Sequence, residues 1–487
     1  MIGFIKKKGL TEKNIISFCL KNFSFFTILI WNKNYVLAAV DQISSYPLIY
    51  KNSKNQIKIS DDIVFFKNEK INEDSLKQIK YSGYTLENNT VYEKVYGLRP
   101  LEYIFNKKKI YRKKIFKKYK IKYKKKSNLK IKEDKLTKIF LKIFKEIKNR
   151  NRNCKIFVPL SAGYDSRVII SLLLKVGTKN IETFTYGRKN VRDFMIAKKI
   201  SKKLGVINHP IYITNKLAKE CYEGRNFLKY LNFFNSGNSP NNFGDFIAIQ
   251  YLIKNEIMKK GDVVINGQTG DYISGNHIPT KFKKKKYKSI KNYLDFIIEK
   301  HFNLIGNKLF DKNQIKIRDE IKKIYFENLK NKNENYEFFE FVNRQVKWVV
   351  SQQKVYDYFN LNWELPFWDR RIVKFFFRDI SLKDRMNQNF FKDYLNKKNF
   401  SNIWKIKINP KQTFSIFFYF IRVIFKLIFI LNKQKWHDFE KKYLNYFLDT
   451  SLSTMFVKYN DFVKNKSIPR NSIFFFSRHY VNKTLKK

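Results

Sequence analysis

KIFVPLSAGYDSRVIISLLLKV, residues 155–176, is the stretch on which the fold turns. Its opening KIFVPL is short, apolar and closed by a turn, which predicts a buried strand; SRVIISLLLKV predicts a buried helix. Between them, Ser161-Ala162-Gly163-Tyr164-Asp165-Ser166 forms a loop of small and polar residues past the C-terminal end of a strand, where open α/β sheets bind ligands. The residue types suit an anion. N–H groups at a helix N-terminus lack intrahelical partners, and the helix dipole favours negative charge there. Ser161 and Ser166 add hydroxyl donors, Gly163 lets backbone approach phosphate, and Asp165 can hold Mg²⁺. No Gly-Lys-Ser/Thr occurs in the loop, so it is not a Walker loop.

Working outward, IETFTYG (181–187) predicts a second strand, 193–204 a helix, HPIYI (209–213) a third strand and DVVING (262–267) a further one. Strands alternating with helices at this spacing make a parallel α/β sheet, assigned to a domain over 136–400. Apolar helical spacing over 136–147 precedes it. Aromatic-rich helical spacing from Tyr336 onward predicts a mainly helical end, with 401–487 as a helical extension. Towards the N-terminus, FFTILIW, YVLAAV and DQISSYPLIY (25–50) alternate with turn signals, which predicts antiparallel strands in an α+β module over 1–110. The basic run over 111–135 has little capacity to form a core and reads as a solvated connection.

A length of 487 residues suggests two or three folded units. Hydrophobic residues at 44% argue against global disorder. The net charge of +59 permits polyanion binding, but Lys far outnumbers Arg and the excess reads as compositional bias on tolerant surface positions, so no specific nucleic-acid partner is expected. Cys19, Cys154 and Cys221 share no short spacing and form neither a disulfide framework nor a zinc site. MIGFIKKKGL lacks the apolar core of a signal peptide, and a cytoplasmic location is expected. TFSIFFYFIRVIFKLIFIL (413–431) is nearly as long as a membrane span but carries Arg422 and Lys426, each costing about 2.5–3.5 kcal/mol near a bilayer centre. A packed helix is the leading reading of this segment, and a helix on a membrane surface the alternative.

Ser-x-Gly-x-Asp-Ser after a buried strand resembles the PP-loop of ATP pyrophosphatases, and LSAGYDSR resembles its form in asparagine synthetases. FTYG (184–187), NGQTGDYISG (266–275) and ELPFWD (364–369) resemble, in order, three later elements of that family. The resemblance implies ATP and Mg²⁺ as cofactors. It implies that Ser161, Ala162, Gly163, Tyr164, Asp165 and Ser166 hold pyrophosphate, with Asp165 and Asp271 at the metal and in catalysis. Leu160, Tyr186, Asn266 and Gly267 match positions that contact the nucleoside. Two departures stand out: the family's Gly-Glu-Gly-x-Asp-Glu is here Gly267-Gln268-Thr269-Gly270-Asp271-Tyr272. An amide at Gln268 has no basicity to accept a proton. Ala162 replaces a common Gly, which requires that this residue avoid positive φ. His277 is a candidate for acid/base help, though a lone His is more often structural.

Residues 40–48 and 89–101 resemble strands of N-terminal-nucleophile glutamine amidotransferases, yet the nucleophilic Cys is absent because position 2 is Ile2. A degenerate, glutaminase-dead front domain is implied. The expectation is therefore an ATP-dependent amide-forming ligase that adenylates aspartate or a related carboxylate and transfers ammonia or an amine to it. β-Lactam synthetases and lasso-peptide cyclases are variants of the same class. The rival readings are a PP-loop enzyme acting on RNA and a nucleotide-binding protein without turnover. The expected partners are small molecules, and the reading leaves room for a homodimer.

Overall fold

A computed structural model of the chain describes residues 11, 14–15, 17–19, 25–31, 35–53, 56–106, 110–114, 129–189, 191–283, 289–306, 309–327, 332–406, 416–448, 457–465, 469–471 and 473–485. The front region holds strands β1 (Thr27–Trp31), β2 (Val36–Val40), β3 (Ile49–Ser53), β4 (Gln56–Ser60), β5 (Val95–Gly97), β6 (Glu102–Asn106) and β7 (Ile110–Lys114). They form two antiparallel sheets, ordered β1-β2-β6-β7 and β4-β3-β5. Helix α1 (Glu73–Ser82) lies among them. Asn72 caps it by accepting the Ser75 N–H at 3.0 Å, Glu73 and Asp74 complement its dipole, and Gly83 at φ +89° ends it.

The connection expected over 111–135 is shorter than the sequence suggested. Strand β7 pairs with β6 at one end, and helix α2 (Leu129–Arg150) begins seven residues before Leu136. Residues 115–128 lie outside the described residues. Lys-rich character hid the helix, but Leu136, Phe140, Ile143, Phe144 and Ile147 give it a buried stripe at i, i+4, i+7, i+8, i+11.

The second domain is built on β8 (Ile156–Pro159), β9 (Ile181–Gly187), β10 (Ile207–Tyr212), β11 (Val263–Ile265) and β12 (Asn362–Glu364). All pair in parallel in the order β10-β9-β8-β11-β12. Both faces are covered, which is why the strands read as nearly continuous apolar runs. Period-two alternation sends Ile156, Val158, Val263 and Ile265 into one core with α2, with helix α3 (Tyr164–Lys175) and with a later helix, Arg370–Asp379. Phe157, Phe184 and Val264 point into the opposite core with Phe246 and Tyr356. Helix α4 (Arg192–Leu204) connects β9 to β10. Strand β12 went unrecognised in the sequence, being three residues long and half-exposed.

The last region is helical, as expected, but it is no appendage. Its final helix, Ile473–Leu485, places Tyr480 and Val481 in one core with Leu76 and Ile79 of α1. The two domains also meet directly: Gln42 Nε2 donates to the Trp368 carbonyl, and Lys347 Nζ donates to the Thr85 carbonyl at 2.6 Å. Among the described residues no helix is long and apolar enough to cross a membrane.

Candidate active site

Strand order reverses between β8 and β11: the chain runs outward from β8 through β9 to β10, then returns to the other side for β11. Two loops leave the C-terminal ends of β8 and β11 at that switch point and touch, at the place where open α/β sheets form their ligand crevice. The contact is tight. A Cβ on Gly267 would sit 2.9 Å from the Asp165 backbone carbon, and one on Gly270 would sit 2.6 Å from Asp165 Cγ. Glycine at these two positions is what lets the loops meet.

The first loop is braced internally. Ser161 N–H donates to Ser166 Oγ at 3.2 Å, Gly163 N–H donates to Ser161 Oγ at 3.1 Å, and the two serine hydroxyls lie 3.2 Å apart. Ala162 N–H donates to Asp193 Oδ1 of α4 at 2.7 Å. Ala162 is not among the described residues with positive φ, so its Cβ meets the condition the sequence set. Gly163 stands at the N-cap of α3 at φ −73°, ψ 169°, and among the described residues no side chain caps this end. An uncapped helix N-terminus of this kind is the arrangement that suits an anion. Behind the loop, fully buried Arg167 donates to the carbonyls of Ile406 at 2.8 Å and Ala162 at 3.2 Å. Tyr164 stacks on Trp404 with ring centroids 6.0 Å apart.

Asp165 and Asp271 come together. Asp271 N–H donates to Asp165 Oδ2 at 2.9 Å, while Asp165 Oδ1 is buried without a hydrogen-bond partner. Burial, and then the Asp271 charge, push the Asp165 carboxyl well above the usual carboxylate range. An orphaned buried acceptor beside a second carboxylate fits a divalent cation. Among the described residues no three His, Cys, Asp or Glu side chains converge as a complete cage. That suits Mg²⁺, which commonly takes one or two carboxylates and fills its octahedron with phosphate oxygens and water.

The second loop is held from behind by a network that the sequence did not disclose. His277 Nε2 lies 2.9 Å from Asp271 Oδ2, and its Nδ1 hydrogen-bonds Glu340. Glu340 is fully buried at the end of a helix, Lys332–Glu340, that continues as a π-helical segment to Val349. It also accepts from Tyr336 Oη at 2.8 Å and faces Lys300 and Arg344, each at 3.4 Å. Burial opposes the charge on His277, but the Glu340 carboxylate and hydrogen bonds to Asp271 and Glu340 raise it to about 9. That environment favours the imidazolium of His277 at neutral pH over a free base. An NMR titration of the His277 ring is expected to show a midpoint near 9, with Glu340→Gln bringing it back towards 6.5. An unaltered midpoint in the variant would refute the assignment.

The three departures in the second loop have separate physical reasons. Tyr272 is buried against Trp368 and Phe377, and its hydroxyl donates to the Glu337 carbonyl at 2.7 Å, so it is a core residue. Gln268 sits in a cluster of amides, accepting from Gln353 Nε2 at 2.7 Å and donating to Gln352. Thr269, where the family has Gly, adopts φ +72° and is held there by Trp368 Nε1, which donates to its hydroxyl at 2.9 Å.

The remaining sequence-derived positions line β8, β9 and the start of the second loop. Leu160 is buried, and its backbone is fully engaged with Phe184 and Thr185. Asn266 Nδ2 donates to Tyr356 Oη at 2.9 Å. Tyr186 and Tyr356 both donate to Asp245, a buried carboxylate without any motif to announce it.

Among comparisons with known proteins, a family model described as Asparagine synthase matches residues 153–400, just over half of the chain. The match begins after α2 and ends before the C-terminal helices. No curated protein matches the chain.

Proposed function

The chain belongs to the asparagine synthase family, and on that premise we propose that it is an ATP-dependent ligase that adenylates a carboxylate and passes the acyl group to ammonia or a substrate amine. The observation that carries this reading is the unpartnered Asp165 Oδ1, buried where the two loops meet beside the open end of α3. Ser161, Gly163, Ser166 and the N–H groups of Tyr164 and Asp165 cradle pyrophosphate. Asp165 and Asp271 would hold Mg²⁺, which would supply neutralisation of the charge on the departing pyrophosphate. The walls around Leu160, Tyr186, Asn266 and Gly267 receive the nucleoside. Catalysis in this arrangement is positioning plus charge neutralisation. Gln268 has no basicity to take the proton of an attacking amine and His277 is held as a cation by Glu340, so adenylation is better supported than asparagine as the product.

Pyrophosphate exchange tests the proposal. Labelled pyrophosphate should enter ATP only when a cognate carboxylate is present, and the spent nucleotide should be AMP. ADP and phosphate as products would sink the reading.

The nitrogen source is expected to be external. Cys19, the one cysteine preceding Arg150 in the chain, is buried, and burial pushes its thiol up to about 11. Position 2 lies outside the described residues. Glutamine should therefore not be hydrolysed, while ammonium should support turnover; thiol-sensitive release of glutamate from glutamine would contradict this.

A further inference from the structure

We propose that the outward face of the helix Ile416–Ile428 is a docking surface for an anionic lipid bilayer. Over its described side chains, from Tyr419 onward, the helix packs by one side only. Phe425 and Phe429 meet Phe439 at centroid distances of 4.7 and 5.3 Å, and Arg422 turns inward to an ion pair with Glu440 at 2.5 Å. On the opposite side Tyr419, Phe420, Ile424, Leu427, Ile428 and Leu431 are each 58–98% exposed. Positions 420, 424, 427, 428 and 431 follow i, i+4, i+7, i+8, i+11, which is one continuous stripe. The usual order is inverted: the charge on Arg422 is turned to the protein, and the apolar stripe faces outward.

Charge selects the occupant. From Ser401 to His437 the chain contains six Lys besides the paired Arg422 and no Asp or Glu. Lys426 is exposed at the edge of the stripe, and Lys433 and Lys435 are exposed just beyond its end. A second copy would bring the same unbalanced cations into opposition. Anionic headgroups complement them, with each Lys or Arg near such a surface contributing about 1 kcal/mol. Thirteen residues make a helix about 20 Å long, too short to span but suited to lie in the headgroup boundary with its apolar face immersed.

The test is flotation of the full chain with vesicles of phosphatidylcholine alone and of phosphatidylcholine mixed with phosphatidylglycerol. The chain should float with the mixed vesicles and much less with the neutral ones. Ile424→Asp with Leu427→Asp should reduce flotation by about 10-fold or more, because two immersed apolar groups are lost. Both side chains point outward, so the circular dichroism spectrum and melting midpoint of that variant should match the parent. Lys426→Glu with Lys433→Glu and Lys435→Glu should remove the preference for phosphatidylglycerol. Absence of flotation overturns the proposal. So does flotation unchanged by the double aspartate variant, which would reduce it to diffuse charge attraction, or a self-association that this variant abolishes in a chain that never floats.

Discussion

Asp165→Asn is expected to lower carboxylate-dependent pyrophosphate release by about 10²-fold or more, the scale of losing one electrostatic contact to developing charge in a water-poor site. The same substitution should stabilise the protein in the absence of Mg²⁺. The Asp165 carboxyl is buried, carries one unpartnered oxygen and faces Asp271, and its pKa in the folded state is raised above the ordinary 3.8. A raised acid binds its proton more tightly folded than unfolded, so its contribution is intact below about 3.8 and is lost as pH rises towards the folded value. Near neutral pH the parent bears that penalty and the Asn variant does not. The gap in melting midpoint between the two should widen from acid to neutral pH. It should shrink when Mg²⁺ and pyrophosphate are added, because they stabilise the parent by binding its folded state. A variant that loses activity and also melts lower without metal would show that Asp165 is a structural residue.

Arg385→Met is expected to cost about 3–5 kcal/mol of folding stability, the range for stripping one partner from a buried ion pair. Arg385 and Glu337 are nearly inaccessible and paired at 2.5 Å directly behind the Asp271 loop. The Arg385 carbonyl also presses on Gly275, where φ is +104° and a Cβ would approach within 2.4 Å of it. Removing the guanidinium leaves the Glu337 carboxylate buried alone, and burial already raises its pKa even with Arg385 present. The pair is imperfectly satisfied, since Arg385 Nε and Nη1 have no hydrogen-bond partners. Arg385→Met with Glu337→Leu should therefore recover most of the loss, as apolar replacements of buried ion pairs commonly do. Denaturant melts of the parent, both single variants and the double variant give the coupling directly. Additive losses would mean that the pair does not act as a unit.

Local signals carried the centre of this molecule. KIFVPL, IETFTYG and DVVING were legible as strands because period and punctuation are short-range properties, and SAGYDS was legible as the loop between a strand and a helix because its small and polar residues are consecutive. Strand β12 escaped because three half-exposed residues carry no period, and the beginning of α2 escaped because its apolar stripe is interleaved with Lys. The C-terminal helices were legible as helices, but their destinations were not. That Ile473–Leu485 completes the core of the first domain, or that the helix Ile416–Ile428 turns its apolar stripe outward, depends on which surfaces meet in space.

The same division runs through the site. Sequence alone determined that Asp165 and Asp271 stand in loops that follow strands of one parallel sheet, because KIFVPL and DVVING read as short apolar runs directly before loops of small and polar residues. Only the tertiary structure decided that His277 is locked against Glu340, that Tyr272 is a core residue and that Asp245 anchors Tyr186 and Tyr356. Those pairings join residues 59 to 111 positions apart. A buried charge is tolerated only where a partner arrives from elsewhere in the fold, and no local pattern records where that partner comes from.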